Sequence, residues 1–259
     1  MLLSLFLLFL GLFVGSFLNV LSDRFPRNET VVKGRSHCEY CKKELQWYDL
    51  IPLFSFIFLK GKCRYCHKKL SFSYPLSELG TGLIFFITSL FVLNGPIYTY
   101  DIVIKLIFYL FMASSLIAIF FADLKHGVIP DKIIFPAILI NLLYLLLFNN
   151  HFLIQNLLSG LGALLFFLLL VLVTRGRGMG LGDVKFSFLI GLFLGFPGVL
   201  IGLYLAFLTG ALISIILILW RKKFLKDSIP FGPFLVLGTF IGLYFGNLLY
   251  EKLLLLMGF

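Results

Sequence analysis

The sequence predicts an all-α polytopic membrane protein with about eight transmembrane helices and one small polar loop domain. Its 259 residues are 60% hydrophobic and 13% charged, with a mean hydropathy of +1.04. A soluble domain is usually about 45–50% apolar and about 25% charged. The apolar residues also fall into long uncharged runs, which is typical of helices that cross a bilayer about 30 Å thick. This composition excludes the ordinary soluble globular class.

Uncharged runs predict the membrane helices in chain order. Residues 2–21 have no basic segment before them and no small-residue cleavage site after them, so we expect a retained helix rather than a signal peptide. The 35 uncharged residues between Lys185 and Arg221 would extend about 52 Å as one helix. Pro197-Gly198 divides them into two spans, of which the first is short. The other runs cover residues 79–93, 102–122 (interrupted by Lys105), 133–148, 152–174 and 229–250.

The basic residues predict the orientation in the membrane. The chain carries 22 Lys and Arg against 12 Asp and Glu, a net charge of +10. Eight spans place 20 of the 22 basic residues on one side, whereas seven spans divide them 17 against 5. Because basic loops stay in the cytoplasm, we expect eight spans in the cytoplasmic (inner) membrane, with both termini outside. The basic loops then face anionic membrane lipids. The positive charge therefore needs no nucleic acid partner to explain it.

The longest polar loop, residues 23–75, holds all four cysteines as Cys38-Glu-Tyr-Cys41 and Cys63-Arg-Tyr-Cys66. Two CxxC pairs separated by 21 residues supply four thiolates for one tetrahedral Zn²⁺ ion. Two disulfides or a redox-active pair are the alternatives, but a cytoplasmic loop lies in a reducing compartment. We therefore expect a structural zinc ion. The predicted parts are a first transmembrane helix at 1–22, a cytoplasmic zinc-binding loop at 23–75 and a transmembrane core at 76–259.

Two acidic residues lie at the ends of predicted helices. Asp123 follows the run 102–122, and Asp183 ends the segment Gly178-Met-Gly180-Leu-Gly182-Asp183. Ionisable groups at membrane depth are costly and often functional, and two carboxylates that share a proton can activate water. The three alternating glycines permit positive φ and close approach of an extended peptide. The alternatives are that Asp123 caps a helix or pairs with Lys125, and that the glycines form only a tight turn.

Three further charged residues lie near these positions. Asp131 follows Pro130 and is expected to cap the next helix. Glu78 begins the second span, as an interfacial anchor or as part of a site. Lys185 either tunes the aspartates or anchors its helix at the lipid headgroups, and we favour the anchor.

Several short motifs follow one another along residues 11–238 in a fixed order. They are Gly15-Ser-Phe-Leu-Asn19, the double CxxC loop, Trp47-Tyr-Asp49-Leu-Ile-Pro52, Tyr74-Pro-Leu-Ser-Glu78, Asp123 with Pro130-Asp131, Gly178-Met-Gly-Leu-Gly-Asp183-Val-Lys185 and Ile229-Pro-Phe-Gly-Pro-Phe234. A lone Gly-x-Gly-Asp would be weak, but the ordered set resembles the type IV prepilin peptidases. These are bifunctional leader peptidases and N-methyltransferases of pilus, type II secretion and competence systems. The chain departs from many relatives at Leu50 and Ser73, where they have Asn and Arg.

The resemblance implies a membrane aspartic endopeptidase whose catalytic residues are Asp123 and Asp183. It implies cleavage of prepilin or pseudopilin precursors on the cytoplasmic side, just before their hydrophobic stretch and typically between Gly and Phe. Members with the cysteine loop then methylate the new N-terminal amine with S-adenosylmethionine. We expect five residues to bind or support the substrate: Gly180, Gly182, Glu78, Asp131 and Lys185. No GxGxxG motif follows a strand, so any S-adenosylmethionine site must use the cytoplasmic loop and neighbouring helix ends.

Two other functions remain open at the level of sequence. A proton-coupled membrane transporter would relay protons through intramembrane acids. It predicts acids at mid-membrane and broken helices in matching halves, whereas here the acids lie at the cytoplasmic ends and no clear internal repeat is present. A non-enzymatic assembly scaffold would bind a partner through the zinc loop and would not require Asp123 or Asp183.

Overall fold

The computed structural model describes residues 1–27, 29–30, 36–38, 40–93, 99–176, 178–220 and 229–256. Within these ranges the chain is helical, with two isolated bridges and no β-strand. The elements are α1 (Leu2–Arg24), a 3₁₀ helix (Trp47–Leu50), α2 (Phe54–Phe58), α3 (Ser73–Leu93), α4 (Thr99–His126), α5 (Asp131–Phe148), α6 (Asn150–Val173), α7 (Leu181–Leu194), α8 (Gly198–Leu219) and α9 (Gly232–Leu256).

Seven of the described helices are long and apolar enough to cross a membrane: α1, α3, α4, α5, α6, α8 and α9. Helix α7 has 14 residues, about 21 Å at 1.5 Å per residue, and lies where the short span was predicted. The end of α7 at Leu194 and the start of α8 at Gly198 confirm the predicted break. The all-α, multi-pass membrane class is confirmed. The basic cluster at 221–226, on which the choice of eight spans depends, lies outside the described residues.

The chain forms two compact units, Met1–Phe121 and Ala122–Phe259. In the first unit α1 crosses α3 closely at glycines. A Cβ atom at Gly15 would lie only 2.7 Å from the Cα of Glu78. Small residues permit this close backbone approach between membrane helices. The Asn19 side-chain amide, on the same face of α1, donates a hydrogen bond to the carbonyl of Tyr74, 3.4 Å away. The crossing therefore fixes Glu78 beside the C-terminal half of α1.

Two helix pairs in the second unit also meet at glycines. A Cβ at Gly191 of α7 would lie 2.6 Å from the Cα of Gly160 in α6, and a Cβ at Gly238 of α9 would lie 2.1 Å from the carbonyl oxygen of Gly202 in α8. A larger residue at either position would separate the helices. Glycine at these positions therefore permits the close contact between each helix pair.

Helix α7 is enclosed along its length although it is short. Phe186, Leu189 and Ile190 have no exposed surface. The side-chain amide of Asn156 on α6 donates to the carbonyl of Leu192, 2.9 Å away, near the end of α7. This packing on several faces holds the start of α7, and with it Asp183, in a defined position.

Candidate active site and cysteine cluster

Asp123 lies in the last turn of α4 and is buried, with 5% of its surface exposed. Its Oδ2 accepts a hydrogen bond from the backbone N–H of Gly232, 2.8 Å away, at the first residue of α9. A Cβ on Gly232 would lie 2.6 Å from this oxygen, so the position has no room for a side chain. The positive end of a helix dipole also favours an anion here. No other described residue donates a hydrogen bond to this carboxylate.

Asp183 lies in the first turn of α7 and is partly buried. Its Oδ2 accepts a hydrogen bond from the backbone N–H of Gly180, 3.1 Å away, an arrangement that caps the helix. Gly180 does not use the positive φ that glycine permits, because its backbone is extended with φ −86° and ψ 157°. Positive φ occurs instead at Arg175 (50°) and Gly176 (72°), just after α6. The turn is made earlier in the chain, Gly180 is the extended residue before the helix, and Gly182 already belongs to α7.

The two aspartates belong to the same unit. Ile129 follows Asp123 in the chain and packs against the start of α7, the helix that carries Asp183. Ile129 is buried and lies in the short connection between α4 and α5. A Cβ on Gly182 would be 3.3 Å from the Cβ of Ile129, so the start of α7 packs directly on this connection. The carboxylates are close enough for the charge of Asp123 to act on Asp183. Two interacting carboxylates permit one to hold a proton while the other is ionised.

Asp131 does not cap α5, which corrects the expectation from sequence. Pro130 is the N-cap residue, and no side-chain hydrogen bond caps the helix. The two oxygens of Asp131 instead accept hydrogen bonds from Lys185 Nζ at 2.8 and 2.9 Å. The pair joins the start of α5 to α7 two residues beyond Asp183. Both side chains are about half exposed, so the pair contributes about 0–1 kcal/mol to stability and acts mainly on orientation. Headgroup anchoring by Lys185 stays a prediction.

The four cysteines form one cluster in the first unit. All four are free thiols, so no disulfide joins them. Their sulfur atoms lie within 4.8 Å of one another, and the Sγ atoms of Cys38 and Cys66 are 3.9 Å apart. Zn–S bonds of about 2.3 Å place the sulfurs of a tetrahedral site about 3.8 Å apart. The cluster therefore has the dimensions needed to hold one metal ion.

The two CxxC segments form matching knuckles. The N–H of Cys38 bonds to the carbonyl of Lys43 at 3.0 Å, and the N–H of Cys63 bonds to that of Lys68 at 2.9 Å. The residue after the second cysteine has a φ of 56° in the first knuckle and 54° in the second. Each lysine lies over the tyrosine of the other knuckle, 4.7 and 4.8 Å from the ring centre. The cysteine spacing is visible in the sequence, but the matching conformation of the two knuckles is not. The lysine–tyrosine contacts between the knuckles place the two cysteine pairs face to face.

The thiols differ in acidity. Burial alone would raise the pKa of Cys63, but backbone N–H groups of Cys66 and Tyr65 stabilise its thiolate and lower the pKa to about 7. The N–H of Lys68 likewise favours the Cys66 thiolate, yet burial and the adjoining sulfurs raise its pKa to about 11. One negative charge therefore forms readily and opposes the next. A bound cation would offset this repulsion.

The motif Trp47-Tyr-Asp49 connects to the second knuckle. The Asp49 side chain is only 3% exposed and accepts a hydrogen bond from Arg64 Nε at 2.6 Å. It also accepts one from the backbone N–H of Gln46 at 3.2 Å, which caps the 3₁₀ helix. The Arg64 guanidinium lies over the Tyr48 ring at 4.8 Å. The motif is recognisable in the sequence, but its ion pair with Arg64 is not.

The fold and these two polar sites define a multi-pass membrane protein that has a four-cysteine cluster able to hold a metal ion and two carboxylates in one compact unit. Two family models match the chain: the Bacterial Peptidase A24 N-terminal domain over residues 9–92 and the Type IV leader peptidase family over residues 110–215. No solved structure matches it.

Similar proteins from three bacteria bear the name prepilin leader peptidase/N-methyltransferase. The Pseudomonas aeruginosa protein is 30% identical over an alignment of 282 positions, which covers 96% of this chain and 93% of that protein. The Bacillus subtilis protein is 28% identical over 237 residues, 92% of each chain. The Myxococcus xanthus protein is 33% identical over 220 residues, and the match spans 83% of this chain and 63% of that protein. The chain belongs to the prepilin leader peptidase/N-methyltransferase family, which confirms the predicted resemblance and indicates an enzyme that processes prepilins.

Proposed function

We propose that the protein cleaves the leader from type IV prepilin or pseudopilin precursors by an aspartic-protease mechanism, with Asp123 and Asp183 as the catalytic pair. The observation that carries this proposal is the pair itself. Each carboxylate is held by one backbone N–H, from Gly232 or Gly180, and the other oxygen of each accepts no hydrogen bond from a described residue. Family membership supplies the class of substrate.

In the proposed reaction the two aspartates exchange protons with water and the peptide. One, ionised, removes a proton from the attacking water. The other, protonated, donates a hydrogen bond to the scissile carbonyl and then its proton to the leaving amine. The N–H groups of Gly180 and Gly232 hold the carboxylates without adding a full charge, so either member can carry the shared proton. The pair acts as a unit, and we assign neither role to one residue.

The segment before Asp183 suits an extended substrate. Gly180 is exposed and extended and carries no side chain that would keep a peptide at a distance, whereas Gly182 lies in α7 and packs on Ile129. Main-chain hydrogen bonds to such a segment are a common way to hold a peptide in the conformation that proteolysis requires. Asp131 and Lys185 support this site by fixing α7 against α5. The surplus of basic loops supports an active site on the cytoplasmic face.

We also propose that Cys38, Cys41, Cys63 and Cys66 hold one structural Zn²⁺ ion. Four sulfurs complete a tetrahedron and leave no position for substrate, which is typical of structural zinc. A loop this small buries little apolar surface, so a bound ion would contribute much of its folding free energy.

The second activity that we propose is methylation of the new N-terminal amine, for which S-adenosylmethionine supplies the methyl group when bound. The observation that favours it is the ordered cysteine loop in the first unit, the feature that the methylating members of the family carry. The protein would then act twice on one precursor, with cleavage before methylation because the acceptor amine exists only after cleavage.

Purified full-length protein in detergent, incubated with a prepilin precursor, tests the proposal. We expect Asp123→Asn and Asp183→Asn each to lower the rate of leader release about 10²- to 10⁴-fold. Glu251→Gln, which alters an exposed acid on α9, should cleave at the wild-type rate. Wild-type cleavage by both aspartate variants would refute the peptidase assignment. Proton-coupled uptake that depends on Asp123 and Asp183, without any cleavage, would favour the transporter. If the protein showed neither cleavage nor uptake, the scaffold function would be favoured.

A further inference from the structure

A cavity of about 260 Å³ lies within the first unit, where the cysteine loop meets the ends of two membrane helices. Its walls come from the C-terminal end of α1, the start of α3, the 3₁₀ helix, α2 and both knuckles. Small-molecule sites are typically concave, lined by apolar and aromatic groups with a few polar groups that fix orientation. Neither Asp123 nor Asp183 belongs to this unit, so the proposed peptidase chemistry leaves the cavity without a role.

Glu78 provides a buried acidic group in the cavity wall. It is 7% exposed, and its Oε2 accepts a hydrogen bond from the backbone N–H of Leu53 at 2.8 Å. This donor is neutral, and no salt bridge joins Glu78 to any residue within the described ranges. A cation beside a carboxylate this deeply buried would offset the cost of its charge, so the position suits a cationic ligand.

The remaining lining combines charge of both signs with aromatic rings. Asp23 adds a second acid, Arg24 and Arg27 add guanidinium groups, and Tyr74 and Phe56 add ring faces. A ligand that matches this lining has a cationic centre, a carboxylate and a planar ring system. S-adenosylmethionine has all three, as its sulfonium and ammonium groups, its carboxylate and its adenine.

We infer that this cavity binds S-adenosylmethionine, with Glu78 facing the cationic sulfonium end of the methyl donor. The inference rests on the proposed methyltransferase function and adds the location of the donor site and the residue that recognises its charge. It also gives the cysteine cluster a specific use, because Cys38 and Cys63 line the same cavity. A metal ion that orders the knuckles would hold the cavity wall in place.

The alternative role for Glu78 is structural, since its bond to Leu53 ties the loop to α3. Glu78→Gln separates the two roles because the glutamine oxygen can still accept the Leu53 N–H while the charge is lost. A charge role weakens binding of S-adenosylmethionine more than binding of S-adenosylhomocysteine, whose sulfur is neutral. Structural damage weakens both ligands equally. The comparison of two ligands therefore gives a readout that does not depend on methyl transfer.

The experiment measures equilibrium binding of both ligands to full-length protein in detergent. We expect Glu78→Gln to raise the Kd for S-adenosylmethionine about 10- to 100-fold, the range for loss of a charge-assisted contact, and that for S-adenosylhomocysteine less than about threefold. Ser55→Trp, which fills the cavity from α2, should abolish binding of both ligands. Its matched control is Ile57→Trp, on the same short helix but outside the cavity and 70% exposed, which should bind like wild type.

The outcomes separate this inference from the function on which it rests. If the wild type neither binds S-adenosylmethionine nor methylates a cleaved prepilin, the methyltransferase proposal fails and the inference with it. If the wild type methylates, but Ser55→Trp and Glu78→Gln bind both ligands as tightly as wild type, only the cavity assignment is overturned. An equal loss of both ligands in Glu78→Gln overturns the charge role of Glu78. Zinc content, measured in every variant, identifies any that have lost the loop structure.

Discussion

Replacing Gly232 by alanine tests how Asp123 is held. An alanine Cβ would lie 2.6 Å from Asp123 Oδ2, 3.0 Å from Cγ and 3.1 Å from Cβ, whereas ordinary contacts begin at about 3.4 Å. The two residues must therefore separate by roughly 0.4–0.8 Å. The hydrogen bond from the Gly232 N–H, now 2.8 Å, would lengthen towards the limit at which it is lost. The substitution keeps the N–H donor and changes only the space beside it.

We expect this displacement to lower kcat for leader cleavage about 10- to 100-fold, because a misplacement of about 1 Å commonly costs about 10²-fold. Loss of the charge-assisted bond would also cost about 1.5–3 kcal/mol of stability. Rates are measured on precursor in detergent, and folding is checked by thermal unfolding. Gly162→Ala in α6, where an added Cβ meets nothing within 4 Å, is the matched control and should behave like wild type. A folded Gly232→Ala protein that cleaves within about twofold of wild type would refute the positional role of Gly232.

Three further changes test other parts of the account. Cys63→Ser should remove the bound zinc and weaken methylation, as measured by metal analysis and product mass, and unchanged metal content would contradict the zinc assignment. Asp49→Asn should lower the melting temperature by no more than about 2–4 °C, because the neutral amide loses the charge that faces Arg64 but the Arg64 side chain is 44% exposed; an unchanged melting temperature would mean that the ion pair does not stabilise the loop. Lys185→Met should cost less than about 1 kcal/mol in stability because the pair with Asp131 is half exposed, and a larger loss would show a deeper role for the pair.

Much of the helical architecture follows from the sequence. A membrane helix must satisfy its own backbone hydrogen bonds and present apolar side chains to lipid, so uncharged runs of about 20 residues indicate spans directly. The start of α1, the break before Gly198 and the end of α5 at Phe148 all follow this rule. Helix α9 begins at Gly232, three residues later than the uncharged run, and its first N–H contacts Asp123.

The geometry of the sites follows from the sequence only in part. The CxxC spacing predicted four converging thiols because the ligands are local to each pair. The bond from Gly232 to Asp123 spans 109 residues, and nothing in the chain's periodicity indicates it. Asp131 after a proline has the pattern of a cap, yet Lys185, distant in sequence, attracts its carboxylate away from the helix terminus. Contacts of this kind depend on how helices pack, which composition and spacing do not specify.

The central claim is that Asp123 and Asp183 act together as one catalytic unit. The most direct measurement is leader cleavage by Asp123→Asn, Asp183→Asn and the double variant, with the rates compared as free energies. Because each aspartate requires the other, we expect the double variant to be no slower than the slower single variant by more than about threefold. Additive losses would contradict a shared mechanism, and full activity in either single variant would contradict the assignment of that residue.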